Sequence, residues 1–297
     1  MSVQLEYLPA DESFLDPVRA DAGDPASARA TVIPFGLEAS VSYGAGTAAG
    51  PAAIFAASRQ LEFYDDELGC EPYRRYGVAA LREPAIAQPI GAALDQLHGI
   101  VEAVLDAGKF PLVLGGEHSL TVAPVRAFAA RHSDLVVLQF DAHADLRDGY
   151  QGERFSHAAA MRRVLDNANV SLVSVGVRAV AAEEVAFYEA NRDRITIHWA
   201  KDRERWDLEE IVRPLRGRPT YVTFDIDALD ASIMPATGTP TPGGLSYPQA
   251  LGILRHACRA GRVVGADLVE FAPIKGFHAC DYTAAALAYK MLSYALG

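Results

Sequence analysis

The chain has 297 residues, half of them hydrophobic and 22% charged, which places it among ordinary globular proteins rather than disordered or fibrous ones. Its formal net charge of −11 argues against nucleic acid as a partner and is compatible with a cationic small substrate. Three scattered cysteines (Cys70, Cys258, Cys280) give no disulfide framework or zinc cluster, no signal peptide or membrane span is legible, and a reducing cytoplasm is the expected compartment.

Residues 1–29, rich in Asp, Ala and Pro and without a clear period, read as an irregular arm that is loosely packed or lies on a neighbouring subunit. A first strand is expected at 30–34. It leads into FGLEASVSYGAGTAAGP, whose glycines permit tight turns but match neither phosphate-binding pattern, so a structural loop is expected. Pro51 opens a helix predicted over 52–65, with Ile54, Phe55, Ser58 and Leu61 at helical spacing. A helix at 90–107, a strand at 110–114 and a helix at 123–131 follow. The aliphatic run 135–138 reads as a buried parallel strand, followed by a polar loop to 156 and a short helix near His157. Then come strand 171–177, helix 181–191, strands 194–199 and 220–224, helix 247–259, strand 262–269 and helix 281–296. This alternation predicts an α/β chain with about eight strands in a largely parallel sheet covered on both faces. No repeat or linker divides it, so residues 30–297 are expected to form one domain.

Polar clusters stand after several of these strands. In FDAHADLRD, Asp141, His143 and Asp145 alternate, so they should converge beyond the strand's carboxyl end, where open α/β sheets bind ligands. Two carboxylates and an imidazole meeting there repel or pay desolvation unless a cation lies between them. Gly115 and Gly116 bring His118 to the same rim, and strand 220–224 ends in Asp225 and Asp227. Singly, such residues have plainer readings. A histidine at a strand end is commonly a hydrogen-bonded loop residue, and Asp148 and Asp230 need be no more than caps. Three clusters, each after its own strand, favour a metal site. Four carboxylates and two imidazoles exceed one tetrahedral zinc and suit manganese or a similar ion, more economically two ions with shared carboxylates. Such a pair with a bridging water points to hydrolysis, leaving phosphoesterase and amidohydrolase chemistry both open.

The set GGEHSLT, FDAHADLRD, SHAAAMRR, SVGVRA, TFDIDALDASIMPATGTPTPGGLS and DLVEFAP, with VSYGAGTAAGPAAIFAAS near the start, resembles the ureohydrolase family of arginases and agmatinases over about residues 30–297. The resemblance implies a three-layer α/β/α sandwich. It implies two manganese ions, one held by His118, Asp141, Asp145 and Asp225, the other by His143, Asp141, Asp225 and Asp227, with Asp141 and Asp225 bridging. Hydroxide between the ions would attack a guanidinium carbon and release urea and an amine. Asp145 would orient that hydroxide and help move its proton. Glu270 would pair with the guanidinium, as a carboxylate does by charge-assisted hydrogen bonds, and His157 would shuttle a proton or touch substrate. One departure is Ala236, where the family commonly has glycine, which matters only if that backbone needs a positive φ.

The short loop 146–156 is similar to the agmatinase branch rather than the arginase one, so agmatine hydrolysis to putrescine and urea is the expected reaction. Guanidinobutyrate, guanidinopropionate, aminopropyl-agmatine and arginine are the alternatives. Asp148 and Glu153 would be solvated loop acids more readily than ligands for an amine tail. A phosphoesterase would need Arg147 or Arg178 to clamp phosphate, and a non-catalytic homologue would be expected to lack a metal ligand. The family commonly forms trimers or hexamers, so a homo-oligomer is expected.

Overall fold

The computed structural model describes residues 3–16, 18 and 24–297. Short aliphatic and β-branched runs form the strands, and helices alternate with them through most of the chain. In order they are β1 (Ala30–Phe35), α1 (Gly50–Ser58), α2 (Tyr73–Tyr76), β2 (Val78–Ala80), α3 (Ile90–Asp106) and β3 (Phe110–Gly115). Next are α4 (Val122–Arg131), β4 (Leu135–Phe140), α5 (Ala160–Val164), β5 (Val170–Val177), α6 (Ala182–Ala190) and β6 (Ile195–Trp199). The last five are α7 (Leu208–Val212), β7 (Pro219–Asp225), α8 (Tyr247–Ala260), β8 (Arg262–Val269) and α9 (His278–Leu296). All eight strands lie in one sheet of order β2-β1-β3-β8-β7-β4-β5-β6, and every pairing is parallel.

Because side chains alternate along a strand, the sheet buries two separate cores. Val136, Leu138 and Phe140 of β4 face the layer made by α1, α7, α8 and α9, whereas Leu135 and Val137 face α3, α4 and α5. Helix α8 starts where a reciprocal cap forms: the Gln249 backbone N–H donates to Ser246 Oγ, and the Ser246 N–H donates to the Gln249 side chain. The result is the α/β/α sandwich that the alternation of elements predicts. No described helix is long and apolar enough to cross a membrane.

Some elements differ from the sequence reading. Strand β2 and helices α2 and α7 are three to five residues long, too short to carry a period. Helix α1 stops at Ser58 rather than near residue 65. There the Ser58 hydroxyl donates back to the Phe55 carbonyl and accepts the Leu15 N–H, and the Asp65 carboxylate accepts the N–H groups of Glu67 and Leu68 to form a turn instead. The described part of the amino-terminal arm packs on its own chain. Phe14 and Leu15 are fully buried, and the Leu8 N–H donates to Ala80 of β2.

Candidate metal centre

Strands β3, β8, β7 and β4 are consecutive neighbours in the sheet, so their carboxyl ends open side by side. Register then sets the positions of the residues just beyond each strand. Phe140 pairs with Phe224, setting Asp141 beside Asp225. Leu114 pairs with Leu268, and two residues later the Glu270 N–H donates to the Gly116 carbonyl at 2.8 Å. Gly116 is required there, because a Cβ would lie 2.0 Å from the Leu37 carbonyl oxygen. The rings of Phe140 and Phe224, both fully buried, stack at 4.7 Å directly under the aspartates.

Six side chains meet at this rim. His118 Nδ1 lies 3.0 Å from Asp145, 3.1 Å from Asp141 and 3.4 Å from Asp225, measured to carboxylate oxygens. His143 Nδ1 lies 3.0 Å from Asp227 and 3.5 Å from the other oxygen of Asp141. Asp141 thus serves both imidazoles, one oxygen toward each. Two groups of ligand atoms result, His118–Asp141–Asp145 and Asp141–His143–Asp227. Asp225 touches the first group through His118 and accepts the Asp227 N–H with its other oxygen. The convergence of Asp141, His143 and Asp145 does not come from a continued pleat. Strand β4 ends at Phe140, and Asp145 turns back with φ 54°.

The electrostatics mark the same point. Burial and the neighbouring Asp141 push the Asp145 carboxyl up to about 7, and burial pushes Glu270 up to about 8. Burial and the Asp227 and Asp141 charges hold Asp225 well above the carboxylate range. The imidazoles go the opposite way to their burial: Asp227 and Asp141 raise His143 to about 12, and three carboxylates raise His118. The donor set fits divalent cations. His118 Nδ1 is buried without a hydrogen-bond partner while three carboxylate oxygens surround it, and its Nε2 is already held 2.9 Å from Thr223 Oγ1. Carboxylate oxygens with two imidazoles suit a manganese-type ion better than one that prefers thiolates.

A buried polar layer supports these groups. The Gln139 side-chain amide donates to Asp141 at 2.7 Å, and Ser174 donates to the Gln139 carbonyl oxygen at 2.6 Å. Asp227 accepts the Ala142 N–H at 3.0 Å. Glu270 takes a left-handed backbone (φ 62°), its Oε1 accepts the His118 N–H at 2.7 Å, and the residue lines a cavity of about 150 Å³. Asp145 and Glu270 are two of four described non-glycine residues with positive φ, a conformation that persists only where surrounding structure enforces it.

The same cavity is lined by His143, Asp145, His157, Asp225, Asp227 and Glu270. Tyr43, 84% exposed, stands at its exit with Tyr150, Arg147, Ser42 and Thr239. Arg147 pairs with Glu183 at 2.7 Å and lies over the Tyr150 ring. Arg178 is no phosphate clamp, because its guanidinium is committed to the backbone carbonyls of Gly176, Asp227, Leu229, Thr241 and Pro242. Asp148 is ion-paired with Arg163 and Glu153 accepts the Phe155 N–H; neither lines this cavity.

The sequence profile described as the Arginase family matches residues 28–295. The chain belongs to the arginase family. It is accordingly a hydrolase of the ureohydrolase type. It is 36% identical over 282 residues to the N(1)-aminopropylagmatine ureohydrolase of Synechocystis, covering 91% of this chain and 90% of that protein. The agmatinase of Bacillus anthracis is 38% identical over 251 residues, 80% of this chain and 81% of that one. The agmatine ureohydrolase of Thermoplasma volcanium superposes with a TM-score of 0.82 at 28% identity, covering 93% of each chain. The family is metal-dependent, and this member carries the His/Asp clusters to match.

Ala236 is fully buried and is not among the positive-φ residues, so alanine fits where the family commonly has glycine. The glycine-bearing loop after β1 is more than the structural loop expected, since its Val41, Ser42 and Tyr43 line the cavity, while its later part is held as a fixed turn. Glu38 accepts the N–H groups of Gly46 and Ala48 and the Thr47 hydroxyl, and Gly44 packs against Gly238 where a Cβ would lie 2.8 Å from the Gly238 carbonyl oxygen. Sequence reasoning does not single out Glu117, Ser40 or Ser42. Glu117 sits inside the GGEHS motif itself, and a wholly buried carboxylate beside a metal ligand would have been the signal.

Proposed function

We propose that this chain hydrolyses the guanidinium group of agmatine, or of a close amine-tailed relative, to urea and a primary amine, using two manganese ions. His118, Asp141, Asp145 and Asp225 would hold one ion, and His143, Asp141, Asp225 and Asp227 the other. Asp141, with one oxygen toward each imidazole, would belong to both sets. The observation that carries this reading is the His118 Nδ1 atom, buried, unpartnered and faced by three carboxylates, in the same cavity as Glu270. Ions of this kind lower the pKa of water from about 15.7 toward about 7 and so supply a nucleophile at neutral pH.

The protein's own groups do the rest. Glu270, with Oε1 fixed by the His118 backbone, accepts guanidinium N–H donors; the incoming cation opposes the burial that raises this carboxyl and favours its ionised form. Asp145, oriented by its left-handed turn, holds the attacking water and carries its proton toward the leaving amine. His157, half-buried at the cavity wall and held below the usual imidazole value by that burial, is neutral near pH 7 and accepts that proton in passing. The tail passes the neutral residues Ser42, Tyr43, Tyr150 and Thr239 toward solvent, and Arg147 is the cation at this exit.

N(1)-aminopropylagmatine is the second reading, supported by the Synechocystis relative that covers 91% of this chain. A cytoplasmic trimer or hexamer, as is common in the family, is included in the proposal. Urea release by manganese-loaded protein across agmatine, aminopropyl-agmatine, guanidinobutyrate, guanidinopropionate and arginine tests the substrate. The highest kcat/KM is expected for one of the two amine-tailed compounds. A clear preference for a carboxylate-tailed one would reject the tail assignment, and no release from any would reject the reaction.

A further inference from the structure

The wall of the cavity holds a relay that the metal ligands do not use. Glu117 is wholly buried, and all four of its close partners can donate. Its Oε2 accepts the N–H groups of Ala39 (2.5 Å) and Ser40 (2.6 Å), and its Oε1 accepts the hydroxyls of Ser40 (2.8 Å) and Ser119 (2.5 Å). An ionised carboxylate accepts only, so the single Ser40 hydroxyl proton is spent on Glu117. The Ser40 oxygen then has only lone pairs to offer. One takes the His157 backbone N–H at 2.9 Å, and the other faces His157 Nδ1 at 3.1 Å. Ser156 Oγ also lies near Nδ1, at the longer distance of 3.4 Å; the nearer Ser40 lone pair must meet a proton, so Nδ1 carries the hydrogen.

We infer that Glu117 and Ser40 are positioning residues that lock His157 as its Nδ1–H tautomer and leave Nε2 as a bare proton acceptor on the cavity side. Ser42 Oγ, 3.4 Å from Nε2, caps that lone pair when substrate is absent. The arrangement has the logic of a carboxylate, a hydroxyl and an imidazole in series, in which the carboxylate orients and does not itself take the proton. The inference rests on the proton-carrying role proposed above for His157.

Substitution of Glu117 gives a signed test. In Glu117→Gln, the amide oxygen must stay on the two backbone N–H groups, so the NH2 group turns to Ser40 and donates. Ser40 then donates to Nδ1, and the proton of His157 moves to Nε2. Ser40→Ala removes the acceptor altogether, and Ser40→Thr restores it.

The readout is long-range 1H–15N correlation on full-length, 15N-histidine-labelled protein loaded with zinc, since manganese would broaden the signals; a His157→Gln sample assigns the resonances. We expect a protonated Nδ1 and a bare Nε2 in the wild type and in Ser40→Thr, reversal in Glu117→Gln, and loss of the preference in Ser40→Ala. With manganese bound and metal content matched, kcat for Ser40→Ala and Glu117→Gln should fall about 100-fold or more with KM little changed, the usual scale of a lost acid–base group. A wild-type Nε2–H tautomer, or a tautomer unmoved by both variants, overturns the inference. Wild-type kcat in His157→Gln would instead overturn the proton role on which it rests, and the nitrogen shifts would still decide the tautomer by themselves.

Discussion

Arg178 is the residue whose removal should most clearly separate scaffold from chemistry. Its Nη2 donates at 2.7 Å to the carbonyls of both Asp227 and Thr241, its Nη1 at 3.1 Å to Gly176, and its Nε at 3.2 Å to Pro242. One guanidinium therefore ties the end of β5, the segment carrying Asp227 and the loop 236–244 into one unit. Arg178→Met keeps most of the aliphatic stem and deletes the donors. A hydrogen bond to a charged group is worth about 1.5–3 kcal/mol net. The two short bonds should count nearly in full, and the two longer ones less, because the side chain is only partly buried and water can reach the outer carbonyls. The expected loss is about 3–5 kcal/mol, which for an m-value of about 3 kcal/mol/M lowers the urea midpoint by more than about 1 M. Arg178→Lys should recover less than half, since an ammonium lacks the planar fork that reaches several carbonyls together.

Equilibrium urea denaturation of the metal-free protein measures this without catalysis. Metal content and urea release of the loaded variant then report whether Asp227 has shifted. A variant within about 0.5 kcal/mol of wild type would refute the reasoning, since that is the range of ordinary surface changes. So would a loss of activity with unchanged stability, which would make Arg178 a substrate contact.

The same geometry sets three further outcomes. Asp141→Ala removes the carboxylate that reaches both imidazoles. Bound metal, read by atomic absorption, should drop, and urea release should fall by more than the ~100-fold typical of outer-shell changes; near-normal turnover at matched metal content would rule out the bridging role. Glu270→Gln can still accept the His118 N–H but loses its charge. Metal should be retained while guanidinium affinity weakens about 10- to 100-fold, the scale of a lost charged hydrogen bond, and calorimetry finding unchanged binding would place substrate recognition elsewhere. Asp230 is held below its ordinary 3.8 chiefly by the Ser232 hydroxyl and N–H, and also by the N–H groups of Gly243 and Gly244. A carboxyl with a depressed folded pKa stabilises fully above 3.8 and loses that contribution as pH falls through the folded value. Asp230→Asn should therefore be less stable than wild type at pH 6, with the gap closing below about pH 4; a gap independent of pH would show that the hydrogen bonds, and not the charge, hold that loop.

The sheet and the clustering of His118, Asp141, His143, Asp145, Asp225 and Asp227 at its rim are legible because they depend on local signals. Runs such as Leu135–Phe140 declare a buried parallel strand, and glycine pairs or alternating acids after such runs mark the functional rim. The supporting groups were not legible, because their partners are remote in sequence. Thr223 lies 105 residues from His118 and Ser40 lies 117 from His157, and no spacing rule connects them. Glu117 was hidden by its neighbour. The adjacent histidine accounts for the motif by itself, so the local pattern assigns the acid beside it no role of its own. The turn at Asp145 is not legible because aspartate enters the left-handed region more readily than most residues yet does so at few positions, and nothing in the local pattern marks this one.

Chemistry and selectivity are consequently placed under different physical controls. The ligands occupy strand ends whose mutual positions are set by register: Phe140 against Phe224, Phe224 against Leu268, and Leu268 against Leu114. A one-residue slip in any of these pairings would turn a candidate ligand to the opposite face and force each core's side chains into the other core, so the fold itself penalises displacement of this floor. The cavity exit has no such constraint. Tyr43 belongs to the loop after β1 and Arg147 and Tyr150 to the loop after β4, and lengthening a surface loop costs only a few tenths of a kcal/mol. Substrate tails can therefore diverge among proteins that keep the same floor. The agmatinase and aminopropylagmatine ureohydrolase relatives, both more than a third identical to this chain, bear names that differ in the tail alone. The residues to exchange in order to change the preferred tail are accordingly those of the two loops, with the six ligands, Glu270 and the Glu117–Ser40–His157 series left in place.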